Sequence, residues 1–232
     1  MISVIIPVYN EEKHIKATIQ EVWHYDTDNL VKEIILVDGG SSDATLTIAR
    51  SEGVRIVVSP NKGRAAQMNY GASIARQGIL YFLHADTVPV MGFTGDIKRA
   101  LEDGYDAGCF MLGFDHPNWF LNANCWFSRF DVDAFHYGDQ SLFVKGNLFH
   151  NAGGFCEKHI VFEDYHIIKQ LKKRGRFTIV KKKVITSARK YLDNGIYKVQ
   201  GVFYLMYFLY KLGLPQHRLV ATYKRLINQD KI

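Results

Sequence analysis

His84 and Asp86 stand one residue apart at the end of the apolar run Tyr81-Phe82-Leu83, just before Thr87 and Pro89. Residues i and i+2 of a strand project from one face. If strand geometry persists to the end of the run, imidazole and carboxylate point the same way and can hold a divalent cation. The same pair can equally cap the helix that follows. Other polar groups are spaced as if to share a ligand with them. Tyr9-Asn10-Glu11 and Asp38-Gly39-Gly40 each end an apolar run. Asp38 suits the hydroxyls of a ribose or the edge of a base. Gly63 and Arg64 open a run of small residues, where backbone donors and a guanidinium suit phosphate. Together these groups describe a nucleotide-diphosphate site with a cation bridging the phosphates. Further on, Glu163-Asp164 offers a carboxylate able to act as a general base. Two acids there would also favour the positive N-terminus of a helix.

These residues need a scaffold that brings strand ends to one edge. Ile2 to Val8 is β-branched and almost wholly apolar, as in a strand buried on both faces. A helix follows from about Glu12 to Trp23, with Ile15, Ile19 and Val22 at helical spacing. Ile34 to Val37 is a second strand, and Ser42 or Asp43 caps a helix running to about Glu52. Val54 to Val58, a helix over Ala65 to Ala75, and Ile79 to Leu83 continue the alternation. Such a chain builds an α/β fold, a mostly parallel sheet with helices on both faces, and ligands bind such sheets at the carboxyl edge.

The second half is less regular. Strands are expected over Ala107 to Phe114 and Ser141 to Val144, with two short ones, Phe177 to Val180 and Val184 to Thr186, flanking a lysine turn. Helices are expected over Asn118 to Phe130, Asn147 to Ala152 and Glu163 to Arg174. Ile196 to Leu212 is the most apolar helix. Its length and its interruptions by Lys198, Gln200 and Lys211 argue against a membrane span, leaving a core helix, a homodimer contact or a membrane-surface helix. Leu214 to Ile232 is a basic amphipathic tail.

The chain has 232 residues, enough for one domain with a sizeable core. Lysine and arginine outnumber aspartate and glutamate by 29 to 23, a net charge of +6. That mild excess suits an anionic ligand or a membrane surface. The basic residues form no stripe within a nucleic-acid motif, so nucleic acid is not an expected partner. Cys109, Cys125 and Cys156 are widely separated, with no zinc or redox spacing among them, and read as reduced thiols of a cytoplasmic protein. His136, His150, His159 and His166 form no ligand spacing among themselves either. The apolar N-terminus lacks the basic flank and cleavage site of a signal peptide.

The segments VIIPVYNEE, EIILVDGGSSDAT, NKGRAAQMNYGA and ILYFLHADT resemble glycosyltransferase family 2, inverting enzymes of GT-A fold. They are most similar to a small bacterial subgroup marked by K/R-G-R-A-x-Q-M-N and L-H-A-D-T. GDQSLFVK, NAGGF, FEDYHIIKQLKKRG and TSARKY also fit, so the likeness runs over essentially the whole chain. It implies one GT-A domain: a donor half over residues 1–90, an acceptor and catalytic half over 91–192, and C-terminal helices over 193–232. It also implies a nucleotide-sugar donor, a UDP- or GDP-sugar. Pro7, Tyr9, Asn10, Glu11, Asp38, Gly63, Arg64, Gln67, Ala85, Arg189 and Lys190 would bind it. A Mn²⁺ or Mg²⁺ ion would lie on Asp86, with His84 where the wider family has an aspartate. Histidine prefers softer ions than Mg²⁺. Asp164 would be the base, Glu163 its neighbour, and Asp139 and Gln140 would contact either the metal region or an acceptor hydroxyl on a small molecule or a lipid-linked one. The expected location is cytoplasmic, at the inner face of the membrane if the C-terminal helices bind there. Two alternatives are a sugar nucleotidyltransferase, which usually carries a glycine-rich basic loop after its first strand, and an inactive nucleotide- or membrane-binding scaffold.

Overall fold

The structure is a computed structural model and describes residues 1–130 and 140–228. Its centre is an eight-stranded sheet of order β3-β2-β1-β4-β7-β6-β8-β5. The first four in the chain are β1 (Ile2–Val8), β2 (Val31–Asp38), β3 (Arg55–Val58) and β4 (Ile79–Phe82), all parallel to one another. They alternate with α1 (Ile15–Tyr25), α2 (Thr45–Ser51) and α3 (Arg64–Ile74). This half matches the expected alternation of strand and helix.

β1 shows why two layers of helices are needed. All seven of its residues are buried. Ile2, Val4, Ile6 and Val8 pack on one face with Ile15, Ile19 and Val22 of α1. Ile5 packs on the other face with Ala65, Met68 and Ala72 of α3. Pro7 costs this central strand no ladder bond. β4 pairs with β1 only as far as Ile5–Phe82, so the side on which Pro7 lacks an N–H has already lost its neighbour. α3 lies close because Gly71 has no side chain. A β-carbon there would come within 2.5 Å of Ile5 Cγ2 and 3.0 Å of Val37 Cγ2.

The second half completes a mixed sheet with β5 (Thr87–Val88), β6 (Ala107–Phe114), β7 (Leu142–Lys145) and β8 (Phe177–Thr186), and adds α4 (Phe93–Glu102), α5 (Trp119–Phe127), α6 (Gly146–Asn151) and α7 (Glu163–Lys172). β7 runs antiparallel to β4, β6 antiparallel to β7, and β6 parallel to β8. Two strands expected around a lysine turn are one strand, β8. Its register with β6 jumps from Phe110–Val180 to Met111–Lys183, so Lys181 and Lys182 bulge without ending the pairing. Lys182 Nζ then reaches the buried Asp96 Oδ2 of α4 at 2.7 Å. Neither α4 nor the two-residue β5 is among the expected elements.

α8 (Arg189–Asn194), α9 (Ile196–Lys211) and α10 (Gln216–Leu226) close the described chain. Val199, Val202 and Met206 of α9 form a third cluster with Leu121, Tyr191, Leu219 and Tyr223. One face of α9 is therefore core. Tyr197, Tyr204, Leu205 and Phe208 remain exposed. Among the described residues, no helix is long and apolar enough to cross a membrane.

Candidate active site

β1 and β2 are locked together at their carboxyl ends by polar contacts. Asn10 adopts a left-handed backbone, φ 54°. Its N–H donates to Ser41 Oγ at 3.0 Å, and its side-chain oxygen accepts from the Ser42 N–H at 2.9 Å. The Glu11 N–H donates to Thr45 Oγ1 at 2.8 Å, and the side chain is buried. Tyr9 is exposed between them. Asp38 is buried and accepts the Gly40 and Ser41 N–H groups at 3.0 Å each. Its carboxylate therefore shapes the Gly39-Gly40 turn, a contact the spacing of types alone does not reveal.

Gln67 has a structural task. Buried in the first turn of α3, its amide nitrogen donates to the carbonyls of Val8 at 2.8 Å and Val37 at 2.7 Å. It thereby holds the N-terminus of α3 over the ends of β1 and β2. Gly63 precedes that helix with φ 110°, open to glycine and strained for other residues. A helix N-terminus above two strand ends presents free N–H groups and a positive dipole to whatever occupies the edge.

Arg64, in the same turn, reaches across to α7. Its Nε donates to Glu163 Oε1 at 2.5 Å, and its Nη2 lies 3.5 Å from Asp164 Oδ2. The guanidinium expected on a phosphate is thus already paired with the two acids. Glu163 is 1% exposed, and burial pushes its carboxyl above the usual range, with the Asp164 charge adding to this and Arg64 opposing it. Asp164 is more accessible, with 13% of its side chain exposed. It lines a small cavity with Gln140, Ser141 and Cys109. Gln140 is buried, and its amide donates to the Ser128 carbonyl at 3.3 Å. Asp139 lies outside the described residues. Because β7 runs antiparallel to β4, its start at Leu142 faces the end of β4 at Phe82. The cavity beside Asp164, which Leu142 also lines, therefore lies at the end of the sheet where β4 leads to Asp86.

β4 stops at Phe82, and the Thr87 N–H donates to the His84 carbonyl at 3.1 Å. Residues 84–87 are thus a tight turn, and the strand alternation that would put His84 and Asp86 on one face does not extend to them. His84 is buried at 9% exposure, whereas the Asp86 side chain is 28% exposed. Ala85 belongs to the core, with its carbonyl accepting from Thr18 Oγ1 at 2.6 Å. β5 pairs Thr87 with Thr186 of β8, and the Ser187 N–H donates to the Asp86 carbonyl at 3.2 Å. That pairing carries Arg189 to the site. Its Nη2 lies 3.9 Å from Asp86 Oδ2, and its Nη1 lies 3.1 Å from His14 Nε2. His14, at the start of α1, was not anticipated, and a lone histidine before a helix carries no signal for it. Lys190 turns elsewhere, with its ammonium 5.6 Å above the Phe203 ring.

Asp86 can offer a carboxylate oxygen to a hard cation. Among the described residues it belongs to no group of three ligands, so an ion there would depend on a ligand's own oxygens. The edge as a whole offers helix N–H donors, the partly exposed Asp86 carboxylate, Arg189, and an Arg64-bound acid pair.

Residues 3–156 match the family described as "Glycosyl transferase family 2". Glycosyltransferase AglE of Haloferax volcanii is 34% identical over 191 residues, covering 75% of this chain, and the chain spans 62% of that relative's length. Mannosyltransferase PcManGT from Pyrobaculum calidifontis, solved with GDP-Man and Mn²⁺, superposes with a TM-score of 0.67 at 19% identity, covering 90% of this chain and 61% of its own. Glucosyl-3-phosphoglycerate synthase from Mycobacterium tuberculosis, solved with Mn²⁺, UDP and glucosyl-3-phosphoglycerate, gives 0.64 at 18% identity, covering 93% and 81%. Both structural likenesses speak for the fold, which is of the GT-A type.

Proposed function

The chain belongs to glycosyl transferase family 2, and from that membership we propose that it transfers a sugar, with inversion, from a nucleoside-diphosphate sugar to an acceptor hydroxyl. The observation that carries this reading is Arg64. It rises from the helix turn above the donor strand ends and binds both acids of α7. Donor cradle and candidate base are thereby held in one contact.

In this reading the donor lies along the edge over Asn10, Glu11 and Asp38, with its diphosphate facing the α3 N-terminus and Arg189. The donor carries uridine or guanosine, like the UDP and GDP-Man of the two structural neighbours. A Mn²⁺ or Mg²⁺ ion, when bound, would be held by Asp86 and phosphate oxygens, and would offset charge on the leaving diphosphate. His84, mostly covered, would support that turn. Asp164 takes the acceptor proton as the hydroxyl oxygen attacks the anomeric carbon. The bond from that carbon to the diphosphate oxygen breaks, and the nucleoside diphosphate leaves from the opposite face. Arg189 steadies the negative charge there. Glu163 fixes Arg64, which holds Asp164 in place. The family match ends at residue 156, so the role of Asp164 rests on its position.

The acceptor is a hydroxyl compound, small or lipid-linked. The exposed aromatic surface of α9 with Trp126 and Phe127 of α5 supports contact with a lipid phase or a second copy.

Asp164→Asn tests the mechanism. Transfer, read as nucleoside diphosphate released from UDP- and GDP-sugars with Mn²⁺, should fall by about 10²–10⁴-fold. Calorimetric binding of UDP or GDP with Mn²⁺ should persist. Retained turnover would remove Asp164 from the mechanism, and no heat with either nucleotide in the unaltered protein would remove the donor site. Release of pyrophosphate instead would mean nucleotidyl transfer.

A further inference from the structure

Cys156, His159 and His166 converge at α7, and the proposed transfer uses none of them. Each offers one ligand atom, and the three atoms lie within 4.8 Å of one another. The His159 N–H donates to the Cys156 carbonyl at 2.9 Å, a turn that keeps thiol and imidazole together. His166 sits on α7, and its ring stacks on that of His159 with centroids 4.5 Å apart and planes at 24°. Cys156 is a free, half-buried thiol.

The nitrogens carry the argument. Nδ1 of His159 and Nδ1 of His166 are both buried, and neither has a hydrogen-bond partner. One such atom is costly, and two on stacked rings invite a shared partner. His159 Nε2 lies 3.4 Å from the Tyr210 hydroxyl of α9. A hydrogen bond on one ring nitrogen leaves the other as the ligand, the usual arrangement of a metal-bound histidine.

We propose that Cys156, His159 and His166 bind a zinc-like divalent cation, with water in the fourth position. A thiolate with two imidazoles is a borderline-soft donor set that favours zinc over magnesium or manganese. The site is therefore chemically distinct from the oxygen ligands around Asp86. Binding converts the Cys156 thiol to a thiolate and releases its proton to solvent. Bonds of about 2.0–2.3 Å would draw the three side chains together. The ion would tie residues 156–159 to α7 two residues beyond Asp164, so it is a structural clamp on the helix that carries the candidate base.

Cobalt is the probe. The chelator-stripped protein, titrated with Co²⁺, should take up one ion per chain and develop a thiolate-to-cobalt charge-transfer band, both abolished by one equivalent of Zn²⁺. Cys156→Ser should lose the band, His166→Asn should weaken Co²⁺ binding by at least about tenfold, and Asp86→Asn should leave the band unchanged. Circular dichroism on each variant establishes that it is folded. No charge-transfer band in the unaltered protein overturns the proposal without recourse to any variant. A band that survives in Cys156→Ser overturns it too, since the thiolate would then be Cys109 or Cys125. So does unchanged affinity in His166→Asn.

Discussion

Removing the Arg64 guanidinium would leave Glu163, 1% exposed, beside the Asp164 charge with no cation bonded to it. An uncompensated buried carboxylate is strongly destabilising, but Arg64 is 45% exposed and the pair is partly screened. Arg64→Met should therefore cost about 2 kcal/mol at neutral pH. The sign of its pH dependence follows from burial. Glu163 already has a raised pKa, and loss of Arg64 raises it further. A carboxyl with a raised folded pKa contributes stability that is fully present below its unfolded pKa and is lost as pH rises through the folded one. The Arg64→Met deficit should thus shrink as pH falls toward the ordinary carboxylate range, measured by urea unfolding across that range. A deficit that grows on acidification would show Glu163 to be ionised in the variant. The same residue marks a limit of reading by type. A glycine and an arginine at a helix start suggest phosphate, but the partner of that arginine lies ninety-nine positions away.

At the scale of elements, α3 is placed by one side chain as much as by its apolar face. Gln67 donates both of its amide hydrogens to the ends of β1 and β2. Gln67→Leu keeps the size and removes both bonds, while the Val8 carbonyl keeps the Gly39 N–H at 2.9 Å. Destabilisation of about 1–3 kcal/mol by urea unfolding is expected, and a change within 0.5 kcal/mol would mean that the clamp is incidental. The parallel half was legible because its strands are continuous apolar runs separated by helical periodicity. β5 was not, because two residues carry no period. β8 was divided at its lysines because a bulge and a turn look alike until the partner strand is seen. Yet β5 and β8 bring Arg189 and Asp86 together.

For the whole molecule, three apolar clusters divide the labour. Two flank the sheet, and the third joins α5, α8, α9 and α10. Leu219 of α10 is fully buried in the third. Leu219→Ala should cost about 3 kcal/mol by lost burial and the cavity left behind. If the C-terminal helices fold as one unit with the sheet, tryptophan fluorescence, which includes Trp119 and Trp126 of α5, and circular dichroism will report one coincident transition. A separate early fluorescence transition would make the third cluster an independent unit. The apolar face of α9 was foreseen as core, dimer contact or membrane surface. Packing answers this by halves: Val199, Val202 and Met206 are core, while Tyr204, Leu205 and Phe208 stay outside.

The sequence by itself determined the alternating half of the sheet, the edge where strands end in polar residues, and the family resemblance, because periodicity and short motifs are local. The tertiary structure alone decided what each group touches. It turned Gln67 and Asp38 inward to build the edge, broke the shared face of His84 and Asp86 with a turn, and gave Arg64 to the acids of α7. It also gathered Cys156, His159 and His166. A cysteine three residues before one histidine and ten before another becomes a ligand set only when a turn and a helix bring them face to face. Such contacts depend on register and crossing geometry, which no single stretch of residues encodes.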